Sequence, residues 1–136
     1  MASRGLMRLA ERRLKPFGVG AGQIPVFYLL RNGETMSQRD LARLARVEQP
    51  SMAQTLARME RDGLIRRVPD PEDGRSSLIS LTKKAVAKMP ALREALHAGR
   101  AELLEGFSDA EVAMLCDLLL RLNRNLDRGV LREIAE

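Results

Sequence analysis

Disulfide, metal and aromatic chemistry are almost absent from this chain. Its single cysteine, Cys116, cannot close an internal bridge, and its single histidine, His97, has no second imidazole or thiol nearby in sequence with which to share a metal. Aromatic residues make up 3% of the sequence, with no tryptophan and one tyrosine, which argues against a protein that stacks unpaired bases on aromatic platforms. The longest apolar run, Ile24 to Leu30, contains Pro25 and falls far short of the ~20 residues that a membrane helix needs. No basic stretch leads into an apolar run with a small-residue cleavage site, so a soluble, cytoplasmic protein with no membrane partner is expected. Catalytic signatures are missing too: there is no nucleophile elbow, and Gly18, Gly20 and Gly22 precede a helix without the strand that a phosphate-binding loop requires. Neither enzymatic activity nor a cofactor is expected.

What is present is apolar mass and positive charge. The 136 residues are 45% hydrophobic, enough for one compact domain with a real core. The formal charge of +5, carried mostly by arginine, favours a polyanionic partner, although a G+C-rich genome would enrich arginine as well. With stacking platforms excluded, double-stranded DNA is the polyanion that fits.

Punctuation along the chain predicts six helices and one hairpin. A basic helix from Leu6 to Leu14 stops before Pro16, and a second runs from Gln23 to Arg31, ending at Asn32-Gly33. Ser37 caps a third helix, with Asp40 three residues on, Met36 placed to staple against Leu41, and an apolar stripe of Leu41, Leu44 and Ala45. Pro50 sits in the first turn of a fourth helix that runs to about Asp62 and closes at Gly63. Leu64 to Val68 and Ser77 to Leu81 alternate as strands around the turn-rich segment 69–74. Thr82 caps a fifth helix to about Glu105, with Ala85, Met89, Leu92, Leu96 and Leu103 on one side and Pro90 expected to kink or interrupt it. Ser108 and Glu111 form a capping box for a sixth helix reaching about Arg128.

Two helices joined by a tight turn and followed by a hairpin give the order of a winged helix-turn-helix. In the fourth helix Met52, Leu56 and Met59 share one side, while Ser51, Gln54 and Arg58 fall roughly opposite, where they are either a solvated face or a reading face. A hydroxyl, an amide suited to an adenine edge and a guanidinium suited to guanine or phosphate are the chemistry a major groove requires. Ala53 and Ala57 allow close approach. Gln49 and Pro50 lead into the same face, and Ser37 and Gln38 at the start of the third helix are placed to hold a phosphate.

The segment Leu64-Ile65-Arg66-Arg67, then Asp70-Pro71-Glu72-Asp73-Gly74-Arg75 and Leu81-Thr82, preceded by Gly63, resembles the signature of the MarR (multiple antibiotic resistance regulator) family. The resemblance extends in element order from about Ala21 onward. It implies that Arg75 reaches towards a minor groove, with Asp73 holding it and Ser76 adjoining, and arginine there would meet enhanced negative potential. It further implies a homodimer and a small-molecule effector, often an aromatic acid, bound between the dimerisation helices and the DNA-binding lobe. Two departures stand out: the first helix is short for that family, and Glu48 replaces a small hydroxyl or amide residue, so that its carboxylate must cap the helix or point away from DNA.

The sixth helix carries Val112, Leu115, Cys116, Leu119, Leu122 and Leu126 at helical spacing, with Met114, Leu118 and Leu120 on a second side. One monomer cannot easily cover both, which points to a subunit interface at Leu115, Leu118, Leu119, Leu122 and Leu126. Cys116, among leucines, is expected to be buried and unreactive. His97 is expected at the surface or in helix packing.

The expected fold class is thus mainly α with a small β-hairpin wing: a winged helix-turn-helix plus a helical dimerisation region. Residues 1–31 would support and dimerise, 32–84 would bind DNA and 85–136 would dimerise, all within one compact domain. The expected function is sequence-specific duplex-DNA binding by a homodimer on a pseudo-palindromic operator, as a ligand-responsive repressor. The alternative is an architectural or protein-interaction module that does not read sequence.

Overall fold

The computed structural model describes residues 2–135, with side chains through Gly129. Among them six α-helices and a small antiparallel sheet follow one another as α1 (Ala2–Leu14), α2 (Ile24–Leu29), β1 (Met36–Ser37), α3 (Gln38–Ala45), α4 (Gln49–Arg61), β2 (Ile65–Pro69), β3 (Ser77–Leu81), α5 (Lys83–Leu103) and α6 (Asp109–Ala135). Short 3-10 turns at Lys15–Phe17 and Ala21–Gln23 join α1 to α2, hinged on Gly18, whose φ of 68° suits a residue without a Cβ. The chain divides into a larger unit, Met1–Gly99, and a smaller one, Arg100–Glu136.

The larger unit holds a single core. Leu14, Val26, Leu30, Leu41, Leu56, Met59, Leu64 and Ile79 meet in it with Met52 and Ala85, so α1 through α5 each contribute at least one buried side chain. Predicted and observed caps agree at α3, where Ser37 Oγ accepts from the Asp40 amide at 3.1 Å. Gly63 ends α4 with a φ of 73°, and its carbonyl accepts the Thr82 hydroxyl at 2.6 Å. The Thr82 amide donates to Leu64 O at 3.0 Å, and its Oγ1 accepts from Ala85 N at 3.2 Å. The spacing between the helix exit and Leu81-Thr82 is therefore set by a hydrogen-bonded clasp that also starts α5.

Several expectations need correction. The expected hairpin forms, with β2 and β3 paired antiparallel, but it is extended to a three-stranded sheet in the order β1-β3-β2, because Met36 and Ser37 pair with Ile79 and Leu78 as the chain enters α3. Two residues are too short for any alternation to announce. The stripe of α3 is Leu41, Ala42 and Ala45, and Leu44 is exposed because it sits roughly a hundred degrees round the helix from the centre of that arc. The first helix begins earlier than Leu6 and the second spans only Ile24–Leu29. Pro90 does not interrupt α5: it lies on the exposed side, where the Val86 carbonyl that loses its donor can turn to water. Leu103 is exposed, unlike Ala85 and Leu92.

The smaller unit has no buried residue among its described side chains. Leu115, Leu118, Leu119, Leu122 and Leu126 are all exposed on α6, as are Met114 and Leu120. Cys116, expected to be buried, is exposed as well, because the described side chains of the smaller unit form no core around it. Among the described residues no helix is long and apolar enough to cross a membrane.

Candidate nucleic-acid interface

Helix α4 is amphipathic in the sense that matters for reading a groove. Met52, Leu56 and Met59 are buried at no more than 2% exposure, and Gln54 projects opposite to them, with Ser51 and Arg58 exposed along one edge of the same face. Neither the Gln54 amide nor the Arg58 guanidinium is engaged by another described residue. Arg61, exposed and only 3.8 Å from Asp62 Oδ1, extends this face by two turns beyond Gln54. It was missed in the sequence, although its seven-residue spacing from Gln54 is the signal that places it there. Glu48 occupies the N-cap position but its side chain makes no capping bond. Its carbonyl receives the Met52 amide at 3.0 Å.

At the N-terminal end of α4 lies an open cleft of about 610 Å³ that brings together Ser37 and Gln38 from the start of α3, Gln49 from α4 and Ser76 from the wing, with Arg39, Arg43 and Arg67 around it. Four of the residues singled out in the sequence thus line one space, in which three arginines face Asp40 and Asp70. Arg67 Nε donates to Glu60 Oε2 at 2.9 Å, which ties β2 to α4 and fixes the wing relative to the helix. Asp40 takes up one of the arginines, Arg43, at 3.4 Å.

The wing tip is ordered by its aspartates. Asp73 Oδ1 accepts from the Arg75 amide at 3.1 Å and its carbonyl accepts from Ser76 N at 3.0 Å, while Asp70 Oδ1 accepts from Glu72 N at 2.9 Å. These are Asx turns, in which a short carboxylate substitutes for a main-chain acceptor. Asp73 therefore holds Arg75 through the backbone, and the exposed guanidinium stays unengaged among the described residues. Arg58 joins neither the first cleft nor the wing. It lines a second cleft at the other end of α4, with Arg12 and Lys15.

A more enclosed cavity of about 240 Å³ lies between α2 and α5, lined by Ile24, Phe27, Tyr28, Met89, Leu92 and Leu96, with Arg31 and Arg93 at its polar edge. The Arg31 guanidinium stacks 3.8 Å from the Tyr28 ring centroid and donates to the Tyr28 carbonyl at 2.6 Å. No group of side chains able to hold a metal occurs among the described residues.

A family model described as MarR family matches residues 17–76, the stretch that contains both helices and the wing tip. The chain belongs to the MarR family. Among solved structures, it is similar to the transcriptional regulator PA4135 at 30% identity and a TM-score of 0.78, covering 90% of each chain. A cysteine-to-serine mutant of MarR from E. coli, complexed with operator DNA, is 25% identical with a TM-score of 0.82, over 88% of this chain and 86% of that one. The transcriptional regulator SlyA shares the fold at a TM-score of 0.83 and 23% identity, over 93% and 89% of the two chains. The mostly helical fold with its small three-stranded antiparallel sheet matches the winged-helix structures of MarR.

Proposed function

We infer that this MarR-family chain is a transcription regulator that binds duplex DNA sequence-specifically as a homodimer, acting as a ligand-responsive repressor on a pseudo-palindromic operator, in the cytoplasm and without enzymatic activity. The observation that carries this reading is the outward face of α4, where Gln54 and Arg58 are unengaged among the described residues, together with an exposed wing-tip Arg75 whose guanidinium is equally unengaged there. A side chain held outward and left without a protein partner is available to a base edge or a phosphate. The similar MarR protein solved with operator DNA supports the same assignment.

In this reading residues 32–84 form the reading head, and the segments 1–31 and 85–136 supply support and dimerisation. Ser37, Gln38, Gln49 and Ser76 hold phosphate, with Pro50 setting the entry of α4. Gln54 and Ser51 face bases, Arg58 takes guanine or phosphate, and Arg75, positioned by Asp73, enters a minor groove. The effector site is the cavity between α2 and α5, whose size suits a single-ring ligand and whose two arginines suit a carboxylate. A small aromatic acid satisfies both.

Gln54→Ala tests the core of the proposal. A base-reading amide is worth about 1–3 kcal/mol of discrimination, so operator affinity should drop by that amount while binding to random duplex stays unchanged. Titration of both DNAs with the full dimer reads the difference. Equal losses on the two would establish the architectural alternative instead.

A further inference from the structure

We propose that the cleft at the C-terminal end of α4 is a second DNA-backbone grip, in which Arg58, Arg12 and Lys15 hold a phosphate. It extends the proposed reading of the DNA-binding face and rests on it. The cleft, about 600 Å³ and open, is lined by Arg58 of α4 and Asp62 just after it, and by Glu11 and Arg12 of α1 with Lys15 in the turn that follows. Arg12, Lys15 and Arg58 are all exposed. The segment that closes the cleft is fixed in place, since Val19 is buried, the turn Ala21–Gln23 packs on α4, and Glu11 Oε1 accepts the Ala21 amide at 2.9 Å.

Charge favours an anion here. The lining is net positive, with Arg12, Lys15 and Arg58 against Glu11 and Asp62; Arg12 has an interaction of its own, Glu11 accepts the Ala21 amide, and Asp62 lies 3.8 Å from a further arginine, Arg61. Lys84 adds a further positive charge beside Asp62 by donating to its carbonyl at 2.7 Å. No such occupation is found for Lys15 or Arg58 among the described residues.

Position selects DNA over a free anion. Arg58 stands on the same exposed edge of α4 as Ser51, seven residues and about two turns further on, so the cleft adjoins the face proposed to read the groove. A helix seated in the groove by that face would bring the cleft beside the phosphates that flank it. Arg58 then serves the backbone, leaving Gln54 and Ser51 to the base edges.

The test compares Lys15→Gln, Arg12→Gln with Lys15→Gln, and Arg58→Gln in the full-length dimer, on operator and random duplex across a salt series. Each cation removed, counted over both protomers, should flatten the log–log salt slope by about one and weaken the two DNAs by the same factor. Circular dichroism checks that each variant is folded, and Lys15→Gln alone serves should Arg12 prove structural. An unchanged slope for the Lys15 variant, or a loss confined to the operator for Arg58→Gln, overturns the proposal. Failure of the underlying reading looks different, because wild-type protein would then show no preference for operator at all.

Discussion

The hydroxyl of Thr82 makes two hydrogen bonds at once, donating to Gly63 O at 2.6 Å and accepting from Ala85 N at 3.2 Å. Together they join the exit of α4 to the start of α5 across the base of the wing. Thr82→Val keeps the shape and removes both bonds, leaving a half-buried carbonyl and an uncapped helix. The expected cost is about 1–3 kcal/mol, read as a lower denaturation midpoint, with Thr82→Ser retaining most of the wild-type value. An unchanged midpoint for the valine variant would show that the clasp contributes nothing. The sequence reveals half of this residue's role: a threonine before an apolar-periodic run reads as a cap, but the bond to Gly63 spans 19 positions and depends on how the wing folds back. The same division applies at the candidate site. Ser51, Gln54 and Arg58 are legible from helical phase alone, whereas the separation of Arg58 into a cleft with Arg12 and Lys15 arises from tertiary packing of a segment more than forty residues away.

Local hydrogen-bonding signals predicted helix starts better than apolar pattern predicted faces. Both capping sequences, at Ser37 and at Ser108, form as expected. The short α3 misled because one buried arc on eight residues can be drawn through Leu41, Leu44 and Ala45 or through Leu41, Ala42 and Ala45, and only the neighbouring α2 and α4 decide. At α6 the Ser108 amide donates to Glu111 Oε1 at 2.9 Å and Ser108 Oγ accepts the Glu111 amide at 3.1 Å. The hydrogen bonds from Ser108, first its backbone and then its hydroxyl, hold the Glu111 carboxyl below its ordinary value. A depressed carboxyl adds stability above the pKa it has in the frayed helix and loses it as pH falls through the lowered one. Amide exchange at Ser108 should therefore accelerate, beyond the intrinsic rate, as pH is lowered past the ordinary glutamate range. In Glu111→Ala that acid-dependent step should vanish, and a step of equal size would assign it to another group.

At the scale of the molecule, the decisive imbalance is between a unit with a full core and a unit with none. Among the described residues every buried apolar side chain lies at or before Leu92, while the 27-residue α6 exposes leucines on more than one side. Isolated helices are marginal in water, and an apolar surface of this extent calls for a partner. A second copy of the chain is the partner that the proposed function requires, because an operator with two half-sites needs two reading heads about 34 Å apart. Exposure of Cys116 in the single chain fits the same account: it lies between Leu115 and Leu119, which the proposed interface would cover. Leu118→Asp with Leu122→Asp places two charges per chain in that interface. Such charges are costly to bury without partners, so sedimentation should show a monomer where the wild type is a dimer. The winged region should remain folded, since none of its buried residues comes from α6. Operator binding should fall towards the level of random DNA, because each monomer would grip one half-site alone. A dimer that persists in this variant would move the interface off α6, and α1, with Leu6 and Met7 exposed, would become the surface to substitute next.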